Sequence, residues 1–190
     1  MKKITQLFMC LVLALGLCLV STNNVSAKVE VKPITLFTHD VLLTDEDPDG
    51  DYKEYLVIYY TKSDNLLHAI QDECVFYKDK GYDKTLMEEN GADIIEQVYP
   101  GFSNYSFGSW EVIEEENTVS LVILFNDLTN AKNLRQMYKD GLIIPENKND
   151  DGSRGVDAPY FIKSIEKNGG KKLSLLDYEE AHVHFSDKVK

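Results

Sequence analysis

Cysteine and basic residues are scarce in this chain of 190 residues. Of its three cysteines, Cys10 and Cys18 lie near the N-terminus, so residues 28–190 contain only Cys74 and cannot form a disulfide within one molecule. Lys and Arg number 20 against 32 Asp and Glu, which gives a net charge of −12. Nucleic-acid binding requires a basic face that displaces counterions from phosphate, so this charge argues against a nucleic-acid partner.

Sequence motifs of common enzyme classes are absent as well. No serine lies in a G-x-S-x-G elbow, and no glycine-rich phosphate loop occurs. Cys74 and His68 fall six residues apart in one predicted strand, roughly 20 Å at about 3.3 Å per residue. His68 therefore cannot activate the Cys74 thiol within that strand. No catalytic residue is predicted, and the sequence leaves enzymatic activity undecided.

The first 27 residues follow the plan of a secretory signal peptide. Lys2 and Lys3 precede an apolar run over 7–20, which is shorter than a comfortable membrane span. The small or β-branched side chains of Val25 and Ala27 suit the pockets of a signal peptidase. We therefore expect cleavage after Ala27 and a secreted or cell-surface protein without a stable membrane span.

A lipid anchor on Cys18 is the alternative to a cleaved and released protein. Lipidation signals prefer a small residue before the cysteine, and Leu17 stands there. Because Lys2 and Lys3 are the only charged residues of 1–27, residues 28–190 keep 18 bases and all 32 acids, a net charge of −14. This excess of acid also disfavours anionic lipid surfaces as partners.

Residues 28–190 predict a single α+β domain, with a mostly antiparallel sheet and two or three helices packed on it. Residues 118–126 are apolar on both faces, which is typical of a central strand. A polar loop insert is expected at 145–156 and a flexible tail at 186–190. The predicted strands are 34–44, 52–63, 66–77, 105–114, 118–126 and, more weakly, 181–185, and the predicted helices are 83–99, 130–140 and 158–168.

The stretch 52–142 resembles the YehR-like family of small bacterial envelope lipoproteins. It contains the strand YLVIYYT, a helix that ends in YPG, and a strand and helix reading VSLVILFNDLTNAKNLRQM. The chain departs from the family in the poor lipidation signal at Cys18 and in the insert 145–156. The resemblance implies an α+β fold and an envelope location; it implies no chemistry, because none is assigned to the family.

A cluster of aromatic residues is the candidate ligand site. Phe102, Tyr105, Phe107 and Trp110 lie within nine residues, and such a cluster could line a groove for a sugar or a peptide. The alternative is a core or a hairpin stabilised by cross-strand aromatic pairs.

An acidic string is the candidate metal site, and calcium is the cofactor that it suggests. Asp45, Asp47, Asp49 and Asp51 alternate as in the first half of a calcium loop. The match fails at position 12 of the loop, counted from Asp45. Leu56 stands there, where a calcium loop has a glutamate that binds the ion with both carboxylate oxygens. The alternative is a solvated loop between two strands.

Two weaker metal motifs occur toward the C-terminus. Asn147, Asn149 and Asp151 give a fainter version of the calcium string, for which a polar loop is the alternative. His182 and His184 would share one face of the strand 181–185, as zinc ligands do, although no third histidine is near in sequence.

These observations favour an exported, non-catalytic module of the cell envelope or medium that binds a protein, a peptide or a wall component. Two alternatives remain open at this point. One is an extracellular hydrolase that uses a pair of acidic residues, although no spacing singles out a pair. The other is an extracellular module stabilised by calcium.

Overall fold

The computed structural model describes residues 37–146 and 150–190, so the proposed signal peptide, its cleavage site at Ala27, and Asn147 and Asn149 lie outside the described residues. No helix of the described part is long and apolar enough to cross a membrane. The strands are β1 (Thr38–Glu46), β2 (Tyr52–Tyr60), β3 (Leu67–Tyr77), β4 (Gly108–Glu114), β5 (Thr118–Phe125) and β6 (Lys171–Lys172). The helices are α1 (Lys84–Val98), α2 (Ala131–Lys139), α3 (Ala158–Lys167) and the short α4 (Tyr178–Ala181).

The six strands form one antiparallel sheet in the order β4-β5-β3-β2-β1-β6. This confirms the predicted α+β class with a mostly antiparallel sheet. All eight residues of β5 are buried, in agreement with the central position expected from its two apolar faces. The two-residue strand β6, which pairs with β1, was not predicted.

Local sequence signals explain the best predicted elements. The turn between β2 and β3 is tight because Asn65 adopts φ 59°, a left-handed conformation that asparagine tolerates. Helix α1 begins after Asp83, whose side chain accepts a hydrogen bond from the backbone N–H of Leu86 at 2.8 Å. Helix α2 is capped in the same way by Asn130, and α3 by Asp157.

One face of the sheet packs against α1, α2 and α3 and forms the larger core. Its side chains come from alternate positions of each strand, as the pleat requires. The fully or almost fully buried members include Leu42, Ile58, Ile95, Leu121, Phe125, Leu134 and Met137.

The opposite face of the sheet is covered by residues 173–190, which we call the C-terminal strap. The strap begins where the backbone N–H of Leu173 donates to the carbonyl of Val41 at 2.9 Å. It then packs Tyr178, Ala181, Val183 and Val189 on the sheet. The side chains beneath it are Val41, Tyr55, Val57, Tyr59, Ala69, Val75 and Leu124.

The prediction of a strand at 181–185 is wrong. Helix α4 ends at Ala181, and His182 turns the chain with φ 54°. The strap crosses over the face of the sheet instead of pairing at its edge, so side chains of the sheet satisfy its backbone groups: the N–H of His184 donates to Glu73 at 3.0 Å, and its carbonyl accepts from Gln71 at 2.6 Å.

Two segments expected to be loosely attached contact the body of the domain. In the predicted flexible tail 186–190, the backbone N–H of Ser186 donates to the hydroxyl of Tyr59 at 2.9 Å. In the predicted insert 145–156, Val156 is buried and its carbonyl accepts from the N–H of Leu67 at 2.9 Å.

Candidate functional site

A cleft lies at the end of the sheet where β4 begins and β5 ends. It consists of two adjoining hollows of about 640 Å³ and 290 Å³. They share four lining residues: Ser106, Phe107, Lys132 and Asn133. The cleft lies between three parts of the chain, namely the loop 100–107, the start of α2 and the end of the strap.

The loop 100–107 is held rigidly against the sheet. The Glu96 carboxylate accepts from the backbone N–H of Gly101 at 2.7 Å and of Ser103 at 2.8 Å. These backbone bonds, with that from Ser103 the larger influence, lower the pKa of Glu96. Phe102 is buried, and its ring lies so close to Gly108 that a Cβ there would be 2.9 Å from it. Because Gly108, the first residue of β4, has no side chain, the loop can pack directly against this strand.

The opposite wall is the corner between β5 and α2. Asp127 has φ 54°, a strained conformation for a residue other than glycine. It is held there by the Asn133 amide, which donates to the Asp127 carbonyl at 3.0 Å, and by Asn130, which donates to the Asp127 carboxylate at 3.2 Å. This corner places Lys132, in the first turn of α2, at the junction of the two hollows.

The third wall is the end of the strap. The amide of Asn126 donates to the carbonyl of Lys188 at 2.6 Å, and its oxygen accepts from the backbone N–H of Lys190 at 3.0 Å. Both lysines line the larger hollow. The ammonium of Lys188 also lies 2.8 Å from the Glu111 carboxylate.

The cleft carries a small excess of positive charge in an acidic protein. Lys132, Lys188 and Lys190 line it beside the carboxylates of Asp127 and Asp140, whereas the whole chain carries −12. Within the described residues, no salt bridge involves Lys132 or Lys190. The start of α2 adds the positive end of a helix dipole.

The four aromatic residues of the candidate ligand site have different positions. Tyr105 and Phe107 stack with their ring centres 5.1 Å apart and both line the smaller hollow. Phe102 belongs to the core, where it meets Phe125 edge to face. Trp110 is 37% exposed and covers Gly91 of α1. Of these four aromatic residues, only Tyr105 and Phe107 line the cleft.

Tyr105 is fixed in the cleft by its hydroxyl, which donates to the Asp140 carboxylate. The same oxygen of Asp140 accepts from the amide of Gln136 at 2.6 Å. Burial and this hydrogen bond raise the pKa of Tyr105. The hydroxyl thus stays a neutral donor, and the ring is a fixed platform beneath Phe107.

The acidic string lies away from the cleft, at the turn between β1 and β2. Asp45 belongs to β1 and accepts from the Tyr52 hydroxyl at 2.9 Å. One oxygen of Asp47 accepts from the backbone N–H of Asp49 at 2.9 Å and of Asp51 at 3.2 Å. No group of three or more His, Cys, Asp or Glu side chains in the described part is arranged to hold a metal ion. The calcium site stays a prediction.

The two histidines of the strap meet one carboxylate at the turn between β4 and β5. Nδ1 of His182 lies 2.8 Å from Oε2 of Glu115, and Nε2 of His184 lies 3.3 Å from Oε1 of the same residue. His184 also reaches β3, where its Nδ1 lies 2.6 Å from the fully buried Glu73. The pair that was considered for zinc thus joins the strap to two carboxylates.

A third cluster of polar groups lies on the helix face of the sheet. Asp72 is buried and accepts from the hydroxyl of Tyr99. Burial and the charge of Glu54 raise the pKa of Asp72 to about 7, and burial raises the pKa of Glu54 as well. The free thiol of Cys74 pairs with Glu54 across the strands, and burial raises its pKa.

Sequence reasoning missed most of the residues that line the cleft, among them Asn126, Asp127, Lys132, Lys188 and Lys190. They come from chain segments up to 64 residues apart, as the contact of Lys190 with Asn126 shows. One signal of the strap was present in the sequence: the consecutive polar residues Gln71, Asp72 and Glu73 lie in the middle of a mostly apolar strand. Three polar residues in a buried strand require partners on both faces of the sheet.

No protein-family model matches the chain, and no curated protein matches it. Its fold is similar to the NMR structure of a protein from Streptococcus pneumoniae TIGR4, with 12% identity and a TM-score of 0.42 over 81% of this chain and 95% of that one. It is also similar to the NMR structure of the E. coli YehR protein, with 11% identity and a TM-score of 0.45 over 77% and 98%. The likeness is one of fold, and the E. coli protein gives its name to the family that residues 52–142 resemble.

Proposed function

We propose that the protein is an exported, non-catalytic binding module of the cell envelope, and that its cleft binds an anionic glycan of the wall. The observation that carries the proposal is the joining of a stacked aromatic pair to three lysines in one cleft of an acidic chain. Export is supported by the signal-like segment 1–27.

The residue types of the cleft suit a sugar that bears phosphate or carboxylate. The pair of Tyr105 and Phe107 offers an apolar platform against which a ring can pack. Lys132 and Lys190 supply charges with no salt-bridge partner in the described part, so they keep their full attraction for an anion. Because the chain carries −12, an anionic ligand is repelled at long range, and its attraction has to come from these lysines at the cleft.

Binding should be tested with the protein exported from a bacterial host that carries the full-length gene. A fluorescently labelled, phosphate-bearing wall glycopolymer is titrated and its anisotropy is followed, beside a neutral glycan and an acidic peptide. We expect Phe107→Ala and Lys132→Ala to weaken glycopolymer binding at least about fivefold each, the size of a contact that contributes above 1 kcal/mol.

Matched controls lie on α3, away from the cleft. Tyr160→Ala and Lys163→Ala remove an exposed aromatic ring and an exposed charge of the same kinds. They should leave the affinity unchanged. If they weaken binding as much as the cleft variants do, the site is wrong; if only the acidic peptide binds, the ligand class is wrong.

A second candidate is hydrolysis by an acidic pair, which is favoured by the raised pKa values of Asp72 and Glu54. Neither Asp72 nor Glu54 lines either hollow of the cleft. Neither lines a third hollow, of about 260 Å³, which lies beside β1, β2 and the strap, so these hollows do not bring a substrate to the pair. Turnover of the wall glycopolymer that Glu54→Gln abolishes, while Glu88→Gln on α1 does not, would favour this candidate over the first.

A further inference from the structure

We propose that His184 is a positioning residue for the cleft: clamped between Glu73 and Glu115, it holds the strap so that Lys188 and Lys190 face the ligand, and its protonation makes anion binding dependent on pH. This inference rests on the proposed function above.

Among the described residues, His184 has four polar contacts with the body of the domain, one of which is its carbonyl, which accepts from the Gln71 amide at 2.6 Å. Its Nδ1 lies 2.6 Å from Oε1 of Glu73, and its backbone N–H donates to Oε2 of the same carboxylate at 3.0 Å. On the other side of the ring, Nε2 lies 3.3 Å from Oε1 of Glu115. The imidazole is therefore placed between two carboxylates, of which Glu73 is 0% exposed.

The charged and the neutral imidazole behave differently in this position. The imidazolium donates from both nitrogens, so it bonds Glu73 and Glu115 together. The neutral ring has one N–H, and the buried Glu73 keeps it, because a buried carboxylate that loses a partner is costly. The lone pair of Nε2 then faces the Glu115 carboxylate, and an attractive contact becomes a repulsive one.

The groups around the ring favour the charged form of the imidazole. The hydrogen bond to Glu73 raises the pKa of His184 above the ordinary value of a histidine, against the opposing effect of burial. The bond from His182 lowers the pKa of Glu115, so this carboxylate is ionised. Of the other groups that face the cluster, the amide of Gln71 donates to Glu73 at 3.0 Å and carries no charge.

The strap transmits this attachment to the cleft over a few residues. Beyond His184, the strap is fixed by the bond from the Ser186 N–H to the Tyr59 hydroxyl and by two bonds to the amide of Asn126. These anchors bring Lys188 and Lys190 to the cleft. Loss of the contact with Glu115 removes one of the attachments of the strap upstream of them and loosens it, so the lysines spend less time facing the ligand.

The sign of the pH dependence follows from the raised pKa. Binding should be strongest below the ordinary pKa of histidine, about 6.5, and should fall as the pH rises through the higher value of folded His184. Other titratable groups lie nearby: the centre of the His39 ring lies 4.2 Å from that of the Phe185 ring in the strap, Nδ1 of His68 lies 3.4 Å from the carbonyl of Lys190, and Asp72 is buried in β3. The variants below therefore assign a midpoint to His184.

The test measures two quantities on the exported protein between about pH 5.5 and 9. The first is the affinity for the phosphate-bearing wall glycopolymer, which we expect to fall at least about fivefold, the lower end of ordinary coupling between sites. The second is the amide-exchange protection factor of Ser186 and Lys190, which needs no ligand and should fall over the same pH range.

Two variants separate positioning from a merely structural role. His184→Asn keeps a donor near Glu73 but does not titrate, so its affinity should be lower at pH 6 and independent of pH. Glu115→Gln can donate to the neutral imidazole, so it should retain its pH 6 affinity at pH 8.5. The control Glu116→Gln, an exposed neighbour, should keep the wild-type profile.

The outcomes distinguish this inference from the proposed function. A wild-type pH profile in both His184→Asn and Glu115→Gln overturns the role of His184, whether or not the glycopolymer binds. Suppose that the protection factors fall with rising pH in the wild type and not in Glu115→Gln, while the glycopolymer binds at no pH. The role of His184 in holding the strap is then supported, and the proposed ligand is wrong.

Discussion

Tyr99, the residue that follows α1, donates a hydrogen bond from its hydroxyl to Asp72 in β3. Asp72 is only 5% exposed, and its other oxygen has no hydrogen-bond partner within the described residues. Burial and the nearby Glu54 carboxylate raise the pKa of Asp72 to about 7. The contact between helix and sheet is therefore a buried acid that is partly protonated at neutral pH.

Asp72 should make the protein less stable as the pH rises. The folded protein holds this proton more tightly than the unfolded chain, so the contribution of Asp72 to stability is complete below the ordinary aspartate pKa of about 3.9 and is lost as the pH rises to about 7. We expect Asp72→Asn to match the wild type near pH 4 and to exceed its free energy of unfolding by roughly 1–3 kcal/mol near pH 8, because it avoids burying a charge. Urea unfolding at both pH values measures the difference.

The control for this prediction is Asp93→Asn, on the exposed side of α1, which should not alter the pH dependence. Tyr99→Phe removes the hydrogen bond that favours ionised Asp72, so the loss of stability should move to higher pH. An Asp72→Asn variant that differs from the wild type by the same amount at both pH values would contradict the raised pKa.

The sequence predicted the elements whose signals are local. The helical spacing of Met87, Gly91, Ile94 and Val98 with the cap Asp83 predicted α1, although the buried face consists of Met87, Gly91 and Ile95 and leaves Val98 exposed. The two apolar faces of 118–126 predicted a strand covered on both sides. The strap was not predicted, because His184 and Glu73 are 111 positions apart and the Glu73 carboxylate binds both the backbone N–H and the ring of His184. Such contacts leave no periodicity in the sequence, and the same holds for the cleft, of which only Tyr105 and Phe107 were singled out.

Gly91 in α1 should resist replacement by alanine, although alanine is the better helix former. A Cβ at this position would lie 2.9 Å from the Trp110 ring and 3.3 Å from Leu121. We expect Gly91→Ala to destabilise the protein by roughly 1 kcal/mol, because overpacking outweighs a gain in helix propensity of about 1 kcal/mol. Thermal unfolding followed by the fluorescence of Trp110, the single tryptophan, measures this effect.

A double-mutant cycle tests the cause. In a Trp110→Ala background the space is open, so Gly91→Ala should become neutral or stabilising, with a coupling of at least about 1 kcal/mol. Unfolding there has to be followed by circular dichroism. Asn90→Ala, one position away on the exposed side of α1, should give the same change in both backgrounds. Equal effects of Gly91→Ala with and without the indole would rule out the close contact as its cause.

Calcium should have little effect on the acidic string. One oxygen of Asp47 already accepts two backbone N–H groups, and Asp45 accepts from Tyr52. We expect thermal transitions in about 2 mM calcium and in chelator to coincide, since extracellular sites of this kind bind with Kd near 10⁻⁴–10⁻³ M and would respond at that concentration. A calcium-dependent rise in Tm that Asp49→Asn removes would instead establish the site.

Export predicts a defined N-terminus. The apolar run 7–20 and the small residues before Lys28 suit a signal peptidase, so protein recovered from the medium or the cell surface should begin with Lys28-Val29-Glu30. N-terminal sequencing and the intact mass measure this directly. Ala27→Pro should block cleavage and retain the precursor, whereas Cys18→Ser should change neither the N-terminus nor the mass of the mature protein. A mature chain that begins at Cys18 with the added mass of a lipid would replace the secreted form with a membrane-anchored one, and the cleft would then bind its ligand at the membrane surface.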